Sequence, residues 1–373
     1  MIDPVYSAAP DRYHGGMKYR RAGKSGILLP EISLGLWHNF GDVDTLSGSK
    51  EKIHHAFDKG ITYIDLANNY GPSYGSAEET FGQIMKKSLA PYRDELFIST
   101  KAGHDMWEGP YGIWNSRKHL MASIDQSLKR MNLEYVDIFY SHRYDPETPL
   151  EETLQALVDI VRQGKALYVG ISKYPKEAAE IAYRYLADNH VPCLLYQGRY
   201  NLFNREPEEE GILDQASEHG SGFVAFSPLA QGLLTGRYLD GIPDDSRIAR
   251  GGHLKKEALT EDVLRKIRDL NEIAARRGQT LAEMSLAWLL KDEKVTSVII
   301  GASSVKQIDD NLKSLDNTSF CDEEICLINN GFKSLISSLE NGTIHASANN
   351  FYREKIFLTT TLCINKNKLK KKR

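Results

Sequence analysis

Eight short apolar runs of β type, separated by stretches with helical spacing, set the strongest constraint on what this chain can fold into. The runs are Glu31–Leu36, Ile61–Ala67, Leu96–Ala102, Val136–His142, Ala166–Ser172, Cys193–Tyr200, Gly222–Leu229 and Thr296–Gly301. Apolar residues recur at three- and four-residue spacing between them, as over Ser76–Leu89, Ser116–Asn132, Leu150–Gln163 and Lys176–Asp188. Two further helical patterns, Thr260–Arg277 and Thr280–Lys291, fill the wide last gap. Repeated strand–helix units call for a parallel sheet with helices outside it, and the closed solution for eight units is the (β/α)8 TIM barrel. An open doubly wound sheet is the other solution. No GxGxxG follows any of the runs, so the dinucleotide fingerprint of that open fold is missing. The expectation is an α/β chain with a (β/α)8 barrel over 17–330. An extension over 1–16 precedes it, a short hairpin in Met17–Pro30 opens it, and a poorly patterned tail over 331–373 follows.

Composition narrows the function classes. The chain has 373 residues, 41% hydrophobic and 26% charged, which suits a globular protein with a sizeable core. No apolar run approaches the ~20 residues of a membrane span, and the first residues carry acids and prolines in place of a secretory h-region. Four cysteines, Cys193, Cys321, Cys326 and Cys363, form no CxxC pair, which points to a reduced, cytoplasmic setting and away from a zinc or disulfide framework. Net charge is −3, yet six of the last eight residues are Lys or Arg; without them the body carries 41 basic against 50 acidic residues. A body at −9 offers no broad footprint for nucleic acid. The terminal KNKLKKKR reads as a solvated tail, with a polyanion-binding or targeting segment as the sharper alternative.

Chemistry enters at the strand ends. In a barrel the C-terminal ends of the strands form the catalytic face. Read in order they give Asp65, Lys101, His142, Ser172, Gln197 and Ser227, each closing or nearly closing an apolar run. Taken singly, a serine or glutamine there is a cap, a lysine is solvated and a histidine is a core residue. Six on separate strands imply one cavity. Alternation over ITYIDLA turns Tyr63, Asp65 and Ala67 one way and Ile64 and Leu66 the other, so Asp65 faces the interior and needs a cation. Lys101 can supply it. A lysine near Tyr70 is also expected to favour the phenolate and lower the tyrosine's pKa, while His142 orients a carbonyl oxygen. No nucleophile triad and no metal-ligand spacing is present. A tyrosine acid without a metal suits protonating a carbonyl as hydride arrives from a nicotinamide.

These residues resemble the aldo-keto reductase superfamily. The motifs that carry the resemblance are LGLWHNFG (34–41), DLANNYG (65–71), ISTKAG (98–103), YVDIFYSHR (135–143), YVGIS (168–172), SPLAQGLLTGRY (227–238) and IIGASSVKQIDDNL (299–312). They are most similar to the L-glyceraldehyde 3-phosphate reductase branch, which neighbours the voltage-gated potassium channel β subunits. The resemblance implies an NADP-dependent oxidoreductase that binds NADPH over the C-terminal mouth and reduces small aldehydes or ketones, such as L-glyceraldehyde 3-phosphate or methylglyoxal. It makes Tyr70 the proton donor, with Asp65, Lys101 and His142 completing a tetrad. Ser172 and Gln197 fall where the family holds the carboxamide, and Phe226 where an aromatic stacks on the ring. Ser227, Pro228, Leu229, Ala230, Gly232 and Arg237 fall on the pyrophosphate loop, Arg247 at a cofactor-contacting arginine, and Gly301, Ser303, Gln307, Asp310 and Asn311 at the adenosine site. Trp37 lines the mouth. Between strand and helix, His104–Lys118 would shape the substrate pocket, with Trp107 and Trp114 as walls and Arg117 or Lys118 meeting a phosphate. The resemblance further implies a homo-oligomer with no membrane or nucleic-acid partner. The second reading is a redox-sensing, NADPH-binding regulatory subunit of the channel type.

Overall fold

The protein is described here by a computed structural model, which defines residues 6–239, 241–243, 248–249 and 254–331. Its chain divides into two units, Met1–Glu324 and Ile325–Arg373. Of the second unit only 325–331 are described, as the end of the helix Asp322–Gly331. The expected tail over 331–373 therefore lies outside the described residues except for Gly331, and so does Arg247.

The first unit is the barrel. Strands β1 (Tyr19–Arg21) and β2 (Leu28–Pro30) pair antiparallel as the expected hairpin. Eight further strands follow: β3 (Ile32–Gly35), β4 (Tyr63–Asp65), β5 (Phe97–Ala102), β6 (Val136–Ser141), β7 (Ala166–Ser172), β8 (Cys193–Arg199), β9 (Gly222–Phe226) and β10 (Val295–Ile300). All pair in parallel with their chain neighbours, and β10 closes on β3. Helices cover the outside and the interior is filled, so most strand residues are buried on both faces, and Val295–Ile300 reads VTSVII without polar alternation.

Capping residues set the helix limits. The pattern over Ser116–Asn132 becomes the helix Arg117–Met131, with the Ser116 hydroxyl accepting from His119 N–H and Asn132 at φ 55° ending it. Thr280 and Glu283 form a capping box on Leu281–Leu290. Ser76–Leu89 is α-helical only to Ile84 and continues as a π turn over Met85–Leu89. The run Ile61–Ala67 is regular strand only over Tyr63–Asp65, and just beyond it the Leu66 carbonyl accepts a hydrogen bond from the Lys101 ammonium at 2.6 Å.

One end of the barrel is shut. Ala22 and Leu29 of the hairpin pack with Tyr63, Ile138, Tyr140, Leu195, Val224 and Ile299 in the core. Gly23 lies so close to the turn before β9 that a Cβ there would stand 2.0 Å from the Gly220 carbonyl oxygen. Arg20 adds a tether, donating to Glu31 and to the carbonyls of Leu290, Asp292 and Val295. The hairpin thus covers the N-terminal end, and the polar strand ends gather at the other.

Candidate active site

At the C-terminal end of β4, Asp65 is the centre of a hydrogen-bond network. Its Oδ2 accepts from Lys101 Nζ at 2.7 Å. Its Oδ1 accepts from Ser99 Oγ at 2.8 Å, Gln197 Nε2 at 2.9 Å and Tyr63 Oη at 3.2 Å. Register explains the gathering: Asp65 lies beside Ser99 on β5, and Lys101 is two residues further along the same strand face. Both partners of the ion pair are buried, with side-chain exposures of 0% for Lys101 and 3% for Asp65. A pair so dehydrated persists only when the remaining donors and acceptors are satisfied, as they are here.

Tyr70 joins this network through Lys101. The ammonium donates to the phenol oxygen at 3.3 Å and also lies 4.8 Å from the ring centroid. Tyr70 N–H donates to the Ala67 carbonyl, which folds the NNYG turn back over the barrel mouth. Trp37, from the segment after β3, lies 6.5 Å from the Tyr70 ring, and His142, just past β6, lies 5.8 Å from it. The four residues of the expected tetrad are thus together.

One sequence expectation is corrected. Lys101 was expected to lower the Tyr70 pKa, but burial pushes the phenol well above its usual value, with the Asp65 carboxylate and Tyr140 adding to the rise. Dehydration outweighs the ammonium, so Tyr70 holds its proton. Burial also pulls the Lys101 ammonium down against the pull of Asp65. His142 is driven well below its ordinary value by burial and by the charges of Lys173, Lys101 and Arg143, and is a neutral imidazole. Its Nδ1 is buried without a protein partner.

The cofactor candidates divide by strand end. Ser172 closes β7 beside Gln197 of β8, and its Oγ is buried with no protein partner. Gln197 spends its amide N–H on Asp65. Phe226 ends β9 and packs partly buried against the core cluster. The loop that follows turns sharply, with Ser227, Ala230 and Gln231 at φ 52°, 47° and 59° and Gly232 at 101°. Pro228 and Ala230 are buried, Leu229 is half-buried and Arg237 is exposed. After β10, Gly301 leads to Ser303 and Ser304, and the Ser304 hydroxyl caps the helix Val305–Leu312. Ser303 N–H donates to the Gln307 side chain at 2.8 Å, Asn311 is buried, and Asp310 is engaged with Lys306 and Lys313. β9 and β10 are neighbours, so their two loops lie side by side at the mouth, with Trp37 after β3 next in the ring.

The segment 104–118 folds differently from its expectation. Arg117 does not face the mouth: its N–H donates to Glu152 and its guanidinium pairs with Asp159. Lys118 lies over the Tyr111 ring. Trp107 stacks near His119, while Trp114 lies under the Arg143 guanidinium at 3.7 Å. The sequence pattern turns Tyr63 to the Asp65 side without assigning it a role, and Ser99 goes unnoticed although two-residue alternation puts it on the same face as Lys101. His104 falls within the segment expected to shape the pocket but without a role of its own, and nothing in the pattern distinguishes Arg143 and Lys173 from solvated loop residues.

A closed eight-stranded barrel with an Asp–Lys–Tyr–His cluster at its C-terminal mouth defines a class, and the sequence model for that class agrees. The chain belongs to the Aldo/keto reductase family, whose model matches residues 31–330, and it is therefore an oxidoreductase. The family typically uses NADP as its nicotinamide cofactor. Among particular proteins, L-glyceraldehyde 3-phosphate reductase of Escherichia coli O157:H7 is 56% identical over 328 residues, covering 87% of this chain and 94% of that protein. A probable voltage-gated potassium channel subunit beta of Oryza sativa subsp. japonica is 37% identical over 308 residues, covering 80% and 92%. Its counterpart from Arabidopsis thaliana is 38% identical over 309 residues.

Proposed function

We propose that the protein reduces small aldehydes at the expense of NADPH, with Tyr70 giving the proton and L-glyceraldehyde 3-phosphate or methylglyoxal as candidate substrates. The observation that carries this reading is the single ammonium shared between a buried carboxylate and the Tyr70 phenol. The residues fit a nicotinamide dinucleotide: Ser172 Oγ is an orphaned buried hydroxyl, and the helix Val305–Leu312, capped by Ser304, begins just after β10, the neighbour of β9, and a helix N-terminus attracts phosphate oxygens. Bound there, NADPH supplies hydride to the carbonyl carbon.

The remaining work falls to the chain's own groups. Tyr70 holds its proton firmly until negative charge builds on the carbonyl oxygen, then transfers it. Lys101 neutralises the phenolate left behind, and Asp65 keeps that ammonium in place while spreading its own charge over three further donors. His142, neutral, offers an N–H that fixes the carbonyl oxygen beside the phenol. Steady turnover in an NADPH-oxidation assay with a panel of small aldehydes tests the reading. A single stoichiometric oxidation without turnover would favour the redox-sensing regulatory reading instead.

A further inference from the structure

Outside the Asp65 network, the mouth carries a second cluster of cations that no step above uses. Lys173 follows Ser172 directly and is held at φ 54°, a left-handed conformation that costs a non-glycine residue about 1 kcal/mol or more. Its ammonium donates to His104 Nε2 at 2.9 Å across 69 residues of sequence. Among the described residues no carboxylate forms an ion pair with it. His104 in turn lies edge-on to His142, with ring centroids 4.5 Å apart, and His142 lies 5.8 Å from Tyr70. The row Tyr70, His142, His104, Lys173 is therefore continuous.

Arg143 flanks the row. Its Nε donates to the Gly103 carbonyl at 2.9 Å and its guanidinium stacks on Trp114, yet Nη2 is buried with no protein partner. Asp105 and Asp145 act on Arg143, but neither is among the charges that bear on Lys173, where Lys101 and Arg143 repel and burial pulls the ammonium down to about 8. His104 is held near 3 by burial and the same cations, so it accepts from Lys173 as a neutral ring. Cations crowded together, one of them tethered in a strained backbone and another with its buried Nη2 orphaned, are stable when an anion joins them. Lys173 is exposed at the mouth, where an arriving anion can reach it, and the His104 bond holds its ammonium in place.

We propose that Lys173, tethered by His104 and flanked by Arg143, seats the phosphate of a phosphorylated aldehyde whose carbonyl lies against Tyr70 and His142. The proposal rests on the reductase reading for the substrate's other end, and it moves the phosphate contact from Arg117 and Lys118 to this row. Lys173 is a specificity residue, and His104 positions it.

The test is calorimetric binding of glycerol 3-phosphate, which has no carbonyl to reduce, to protein saturated with NADPH. Lys173→Gln is expected to weaken that binding about tenfold or more, and Lys173→Arg to restore most of it. The ratio of kcat/KM for L-glyceraldehyde 3-phosphate over that for unphosphorylated glyceraldehyde should fall by a similar factor. Equal binding in wild type and Lys173→Gln, or no binding in wild type, overturns the proposal. So does a loss of NADPH affinity in Lys173→Gln, which would assign the lysine to a cofactor phosphate. Absence of aldehyde turnover would sink the reductase reading alone, since the calorimetry still decides the anion seat.

Discussion

Lys101 Nζ stands 2.7 Å from Asp65 Oδ2 and forms with it an ion pair sealed from water at the end of two neighbouring strands. The pair is both a structural joint and the part of the site that governs Tyr70. Its two roles separate by mutation.

Lys101→Met leaves the Asp65 carboxylate buried without its counter-charge, and stability should fall by about 3–5 kcal/mol. Adding Asp65→Asn removes the stranded charge and should return a large part of that loss. Activity should not return with it. Chemical denaturation of the two single variants and the double variant reads this coupling, and simple additivity would show the pair to be unimportant for the fold.

His142 is neutral because burial and three neighbouring cations hold it well below 6.5. Its protonated form is therefore not populated near neutrality, and kcat/KM should pass through pH 6.5 without an inflection from this group. His142→Ala should lower kcat/KM about 10²-fold through loss of a preorganised donor. A histidine acting as an imidazolium acid would instead impose a falling rate as pH rises through 6.5.

Much of this site was legible in the sequence, for a definite reason. A carboxylate on the inward face of a strand demands a cation, and only a few strand ends can offer one, so Asp65 pointed to Lys101 before any coordinates. The eight strands were equally legible, because apolar runs buried on both faces need no alternation to be seen. Two things were hidden. Sequence shows the charges around Tyr70 but not how dry its phenol is, and dehydration reverses the direction of its pKa shift. Arg117 looked available for a phosphate because its partners Glu152 and Asp159 lie on another helix. Lys173 and His104 meet from two separate loops, and no periodicity links them.

Lys173 supplies a pH signature. Its ammonium is held at about 8 in the free protein, against an ordinary lysine value of 10.5. As pH rises through 8 the cation is lost, so kcat/KM for a phosphorylated aldehyde should decline above about pH 8, whereas the phosphate's own second ionisation near pH ~6 raises it on the acid side. Unphosphorylated glyceraldehyde should lack the decline attributable to this lysine. Parallel profiles for the two substrates would remove Lys173 from phosphate recognition.

Central to the account is the proton that Tyr70 holds and then transfers, with the Lys101 ammonium neutralising the phenolate. Tyr70→Phe removes that proton and leaves the Asp65–Lys101 pair in place, so single-turnover oxidation of bound NADPH by an aldehyde should slow by about 10²–10⁴-fold with NADPH affinity nearly unchanged. Oxidation at the wild-type rate in Tyr70→Phe would contradict it.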